Sequence, residues 1–220
     1  VAQVFLGIGS SLQPEENFKR AIRLLGDAAN LSVVGISTVY WTRPLLPPGS
    51  SATGSSPTGS SPTGASPTGA SPTGASPTGA SPTGASPGLR VGDPDFLNGV
   101  MEIQTALSQE ELGLLLTRIE DTLGRIRTQD KYAPRTMDLD ILLFYREKEH
   151  GGDGGAEHAR VHPDIRTRAF VAYPLLELAP DTHLPPDGIT LREVVHGFPD
   201  TGGKADLLLT AGLRANLQNP

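Results

Sequence analysis

The chain has no cysteine, so neither a disulfide nor a thiolate metal site can be built, a usage that fits a reducing compartment. It also lacks an apolar run approaching the ~18 residues that cross a bilayer, and a basic-then-apolar opening of the kind that directs secretion. Positive charge is in deficit, with 18 Lys and Arg against 24 Asp and Glu and a formal charge of −6. A general affinity for nucleic acid or an anionic membrane is therefore not expected, and any anion site must come from a local basic cluster. The expectation is a cytoplasmic, monomeric protein that takes small molecules and neither nucleic acid nor membrane as partner.

Glycine (26) and proline (20) are in excess, well above the roughly 12% of residues the pair usually makes up. The excess is local. Six copies of S-P-T-G begin at Ser56, Ser61, Ser66, Ser71, Ser76 and Ser81, and a seventh is cut short at Ser86. This tract carries no charge and no large apolar side chain, so burial cannot offset the ~1 to 2 kcal/mol per residue that ordering a backbone costs. Residues 48–88 read as a disordered insertion that interrupts a single domain spanning 1–220.

Outside the insertion, elements alternate. Val4, Leu6 and Ile8 share one face of a short strand with Phe5 on the other, and Pro14, Glu15 and Glu16 open a helix striped by Phe18, Ala21, Ile22 and Leu25. Leu31 to Trp41 is rich in β-branched residues, and Phe96 to Thr105 alternates; both read as strands. Ser108 and Glu111 form a capping box before Leu112, Leu115, Leu116, Ile119 and Leu123, and Met137 to Tyr145 is a fourth strand. The order βαββαβ predicts a ferredoxin-like α+β sheet with both helices on one face. Ala169 to Leu178 and Ile189 to His196 predict extra C-terminal elements.

The chemistry concentrates between Gly124 and Phe144. In a strand Asp138 and Asp140 project together, Cα atoms roughly 6.5 to 7 Å apart. Such a pair can hold two Mg²⁺ ions, which in two-metal sites lie about 3.5 to 4 Å apart. Arg125, Arg127, Lys131 and Arg135 arrive within eleven residues of an otherwise acidic chain. Acids beside bases is the inventory for a metal-bridged polyphosphate: oxygen ligands for hard cations, guanidinium forks for phosphate oxygens. His162, Arg166 and Arg168 could complete the cradle, with Phe170 offering an aromatic face. Glu157, His158 and His162 do not follow the H-E-x-x-H order of a zinc helix, and Pro163 would interrupt one.

These segments resemble the 6-hydroxymethyl-7,8-dihydropterin pyrophosphokinase family of folate biosynthesis. The motifs are F-L-G-I-G-S-S-L from Phe5, D-P-D-F-L-N from Asp93, I-E-D-T-L-G-R from Ile119, G-R-x-R from Gly124, P-R-T-M-D-L-D-I-L-L-F from Pro134 and H-P-D-I-R-T-R-A-F-V from His162. The resemblance implies a ferredoxin-like kinase that moves the β,γ-pyrophosphoryl group of ATP, its co-substrate, to the pterin hydroxymethyl oxygen with two Mg²⁺, releasing AMP. Carried over by position, it makes Asp138 and Asp140 the metal ligands and, with Arg125 and Arg135, the catalytic group. Glu120, Arg125, Arg127, Tyr132, Arg135, Ile141, His162 and Arg168 would meet ATP. Thr42, Pro44, Leu45, Phe96, Asn98, Tyr132 and Phe170 would meet the pterin, the two phenylalanines stacking on it and Asn98 reading its edge.

The sequence departs from the family pattern at Ser11, where asparagine is usual, at Tyr132-Ala133 for Trp-Gly, and at Val161 for the proline before His162. The repeat follows Thr42-Arg43-Pro44-Leu45, inside a loop that in this family closes over the substrates. The alternative reading is a non-catalytic ferredoxin-like module that binds a small ligand for regulation.

Overall fold

The computed structural model describes residues 1–44, 95–128, 133–146, 157–200 and 203–218. The repeat tract, Leu45 and Tyr132 lie outside the described residues. In chain order the elements are β1 (Ala2–Ser10), α1 (Pro14–Gly26), β2 (Leu31–Ile36), β3 (Tyr40–Thr42), β4 (Phe96–Thr105) and α2 (Gln109–Thr122). There follow β5 (Asp138–Arg146), β6 (Glu157–Val161), α3 (Asp164–Thr167), α4 (Ala169–Leu178), β7 (His183–Leu184) and β8 (Ile189–Thr190). The chain closes with α5 (Leu191–His196), β9 (Gly203–Ala205) and α6 (Leu207–Gln218).

The main sheet runs β6-β5-β1-β4-β3-β9, with β2 also on β4, and its pairings are antiparallel. Its centre is the ferredoxin-like arrangement expected from βαββαβ, with β6 and β9 added at the edges. The expected strand from Leu31 to Trp41 is interrupted. At Ser37 the side-chain oxygen accepts from Val100 N at 2.9 Å in place of a backbone carbonyl, while Ser37 N donates to Val100 O at 2.9 Å. Residues 37–39 therefore leave the ladder between β2 and β3 while staying against β4. The segment carrying His158 pairs with β5 as a strand, so the spacing to His162 is not that of a helical turn.

Strand alternation divides the core in two. Val4, Leu6 and Ile8 of β1 pack with Met101 and Ile103 of β4 under Phe18, Ala21 and Leu25 of α1 and Leu112, Leu116 and Ile119 of α2. The opposite face carries Phe5, Val100, Leu142 and Leu143, covered by Ile165, Ala172, Leu175, Leu191 and Val195 from α3, α4 and α5. Helices thus lie on both faces, because the segment after β5 supplies a second apolar layer and α6 adds Leu209 and Leu213 to the first. A bulge opposite Phe5 and Leu6 lets Leu142 and Leu143 reach the same core without changing strand direction. α2 starts with the capping box read from the sequence, Glu111 N donating to Ser108 Oγ at 3.2 Å and Ser108 N to Glu111 Oε2 at 2.8 Å. Among the described residues no helix is long and apolar enough to cross a membrane.

Phe18 is 0% exposed at the centre of the first core, whereas Leu208 is 90% exposed on α6. In urea unfolding, Phe18→Ala should lose about 3–5 kcal/mol of stability. Leu208→Ala should stay within about 0.5 kcal/mol of the parent.

Candidate active site

The site is laid out by register. Gly9 pairs with Asp138 on one side and Asn98 on the other, and Asn98 pairs with Tyr40, so Asp138, Gly9, Asn98 and Tyr40 form a row across four strands. The next row is Asp140, Gly7 and Val100. Directly opposed residues share a face. The two glycines therefore leave a bare strip between an acidic side and an amide side. Two strand spacings, about 9.6 Å, separate Asp138 from Asn98. A Cβ on Gly9 would sit 2.8 Å from Asn98 Oδ1, and one on Gly7 would sit 3.2 Å from Leu142 Cδ2. Neither position tolerates a side chain while its neighbours stay in place.

Over this strip lies a cavity of about 310 Å³. Ten of the residues expected in the site line it: Thr42, Pro44, Phe96, Asn98, Arg135, Asp138, Asp140, His162, Arg168 and Phe170. Thr42 and Phe96 are a cross-strand pair at one end of it, and Phe170 enters from the first turn of α4. Thr42 contributes its side chain and not only backbone, since Asn98 Nδ2 donates to Thr42 Oγ1 at 2.7 Å. A depression of about 510 Å³ beside Phe5, Tyr145 and Asp181 is larger, but it lacks any comparable convergence of opposite charges.

Glu120, Arg125, Arg127 and Ile141 stand behind the lining. Ile141, 7% exposed, points into the α2-side core, so only its backbone is free to meet a ligand. Glu120 is 4% exposed and organises the basic loop. It accepts from Arg125 Nη1 at 2.9 Å, Arg127 Nη2 at 2.6 Å and Leu139 N at 2.9 Å. Burial pushes its pKa up, against the Leu139 N–H and the Arg125 charge, which lower it. Arg125 also donates to Met137 O at 2.8 Å and to Asp138 Oδ1, while Arg135 donates to Asp138 Oδ2. Burial opposes the Arg125 charge, but Asp138 and Glu120 outweigh it and hold the guanidinium above its ordinary pKa.

Asp140 reaches solvent at the cavity mouth, yet the protein crowded around its carboxyl raises its pKa, and the Asp138 charge adds to this. His162, Arg125 and Arg135 act in the opposite sense. The His162 ring accepts from Asp164 N at Nδ1 (3.2 Å), so in the neutral ring the proton resides on Nε2. Arg168 Nε is buried with no hydrogen-bond partner; the nearest carboxylate, Asp164, is 3.9 Å away. Arg166, expected in the cradle, instead pairs with Asp187 at 2.6 and 3.0 Å and with Pro185 O at 3.1 Å.

Gly9 lines the cavity, and Ser10 and Ser11 anchor the loop beside it, roles that the motif from Phe5 did not assign. Ser10 Oγ donates to Thr136 O at 2.6 Å, Arg135 N donates to Ser11 Oγ at 2.9 Å, and Ser11 N donates to Arg135 O at 2.9 Å. The end of β1 therefore anchors the loop that presents Arg135. Serine at position 11 supplies that contact with its hydroxyl, and Asn17 Nδ2 secures the turn through Leu12 O at 2.7 Å.

A profile of the 7,8-dihydro-6-hydroxymethylpterin-pyrophosphokinase family matches residues 73–180. Proteins named 2-amino-4-hydroxy-6-hydroxymethyldihydropteridine pyrophosphokinase are similar to the chain in several bacteria. That of Synechocystis sp. is 42% identical over 46% of this chain and 50% of its own length. The Pseudomonas aeruginosa protein is 41% identical over 50% of this chain and 64% of its length. The Methylorubrum extorquens protein is 35% identical over 50% of this chain and 68% of its length. The chain spans between half and just under two thirds of the length of the first two of these relatives. With 68% of the Methylorubrum protein covered at 35% identity, the chain belongs to the 7,8-dihydro-6-hydroxymethylpterin-pyrophosphokinase family.

Proposed function

We propose that the chain is a single-domain pyrophosphokinase that transfers the β,γ-pyrophosphoryl group of ATP to 6-hydroxymethyl-7,8-dihydropterin. The observation that carries this reading is the row Asp138, Gly9, Asn98: an acidic side and an amide side of one cavity, separated by a strip without side chains. A fused heterocycle with a donor and acceptor edge suits Asn98, whose amide keeps an oxygen and one N–H after bonding Thr42. Phe96 and Phe170 give it aromatic faces. At about 310 Å³ the cavity is at the low end for ligand sites, which run roughly 300 to 1,000 Å³. It suits the ring and the reacting phosphates and leaves the nucleoside at the open edge.

The donors on the acidic side are hard oxygens, as Mg²⁺ requires. Among the described residues no three His, Asp or Glu converge as a metal group, so phosphate oxygens and water would complete the coordination. Asp138 and Asp140 would hold two Mg²⁺ ions in this reading. When bound, such ions neutralise phosphate charge and align the displaced groups. Asp138 would exchange its two arginine partners for a cation, freeing Arg125 and Arg135 for phosphate oxygens. His162 Nε2–H and the unsatisfied Arg168 Nε are further donors for the triphosphate. The hydroxymethyl oxygen would attack the β-phosphorus and lose its proton to water, the bond from that phosphorus to the α,β-bridging oxygen would break, and AMP would depart with its α-phosphate. Once released from Asp138, the two arginines would stabilise the charge that develops in a site from which water is largely excluded.

Phosphorus NMR of a completed reaction tests this directly. It should show AMP and a pterin diphosphate in equal amounts and only when the pterin is present; ADP as product would overturn the reading. Asp140→Ala and Asp138→Ala should each leave less than a tenth of the parent rate, a loss above about 1.4 kcal/mol of barrier stabilisation. Arg135→Ala should lower kcat more than it raises the ATP KM, because a guanidinium that leaves Asp138 only when the site fills acts on the reacting complex. A raised KM with unchanged kcat would make it a ground-state anchor.

A further inference from the structure

β3 is only three residues long, yet it carries Thr42, the hydrogen-bond partner of Asn98. Three residues give it few ladder hydrogen bonds to β4 and β9. Two side chains hold it, one on each face. On the cavity face Tyr40 Oη donates to Glu177 Oε1 at 2.8 Å. The same carboxylate accepts from Thr38 N at 2.7 Å and lies 3.6 Å from Arg214 Nη2 of α6. On the other face Trp41 Nε1 donates to Asp206 Oδ2 at 3.0 Å.

Both acceptors are themselves fixed. Glu177 sits near the end of α4, the helix whose first turn carries Phe170. Asp206 caps α6 by accepting from Leu209 N at 2.9 Å, and its own N–H donates to Val39 O at 2.9 Å. β9 pairs residue for residue with β3, close enough that a Cβ on Gly203 would meet Trp41 O at 2.5 Å. Burial, reinforced by the Glu177 hydrogen bond and charge, pushes the Tyr40 phenol up to about 12, so it remains a donor at any working pH. The strand is therefore gripped between α4 and the C-terminal β9–α6 unit.

We propose that Tyr40 and Trp41 are positioning residues whose hydrogen bonds to Glu177 and Asp206 fix β3, so that Thr42 holds the Asn98 amide at the angle that reads the pterin edge. Neither side chain lines the cavity; they act through Thr42. The inference rests on Asn98 and Thr42 facing the pterin. Nothing in it concerns the phosphate side, which stands two strands away at Asp138 and Asp140.

Tyr40→Phe and Trp41→Phe remove one donor each and keep the rings. In the full chain each should raise the pterin KM roughly two- to ten-fold, the range that losing one ordinary hydrogen bond gives. The double variant should show at least the larger effect. The ATP KM and kcat should stay within about two-fold of the parent, because the phosphate side does not move. Glu177→Gln, which leaves α4 intact, offers a second route to loosening the Tyr40 tie and should raise the pterin KM in the same way. A folded double variant with an unchanged pterin KM would overturn the proposal. So would an equal rise in both KM values, which marks general loosening. The parent chain measured alongside separates the two levels: if it releases no AMP with pterin, the activity reading falls and this role of β3 with it.

Discussion

The two-residue period of a β-strand is the constraint on which the site depends. Because alternate positions share a face, the glycines at 7 and 9 open a strip on one side of β1 while Leu6 and Ile8 fill the core on the other. The same period brings Asp138 and Asp140 up beside that strip from β5 and Asn98 and Phe96 from β4. A shift of one residue in β5 would turn the carboxylates toward the helix-covered core, and the same shift in β1 would turn Leu6 and Ile8 into the cavity. Packing and chemistry are thus specified by one register. The stability of the α1 and α2 layer is what keeps the acidic and amide sides facing each other.

Charge balance is the second organising feature. Glu120, Asp138 and Asp140 face Arg125, Arg127 and Arg135 in a small volume, and the buried Glu120 ties the arginines to the start of β5. Without ligands the acids serve as partners for the bases. In the proposed reaction, polyphosphate with divalent cations would supply both new anions for the arginines and new cations for the aspartates. Such an exchange would keep each buried charge paired, which would limit the desolvation cost of binding.

Much of this was readable from residue order. The βαββαβ sequence, the capping box at Ser108 and the Asp138–Asp140 pairing on one face all follow from local period and capping chemistry, and ten of the residues that the motifs singled out line one cavity. What local reading missed depends on contacts distant in sequence. Ser37 replaces a ladder bond because Val100 stands opposite, Ser11 matters because Arg135 lies against it, and Arg166 leaves the cradle because Asp187 is within reach. The edge strand β9 and helix α6 are short or weakly patterned elements whose placement is decided by β3 and the α1-side core. Leu45, Tyr132 and the repeat lie outside the described residues, and their assigned roles stay with the family resemblance.

In this account, metal and phosphate gather on one side of Gly9 and the pterin on the other, with β3 setting the pterin side and the Arg125–Glu120 group setting the phosphate side. In the proposed reaction the two substrates would meet over the bare glycine strip, where no side chain of β1 stands between them. The most direct test is a crystal structure of the chain with Mg²⁺, α,β-methylene-ATP and hydroxymethyl-dihydropterin. The hydroxymethyl oxygen and the β-phosphorus should lie about 3 to 3.5 Å apart, the distance of a near-attack geometry, above Gly9, with the ring between Phe96 and Phe170. A pterin bound away from Asn98, or a triphosphate that does not reach Asp138 and Asp140, would contradict it.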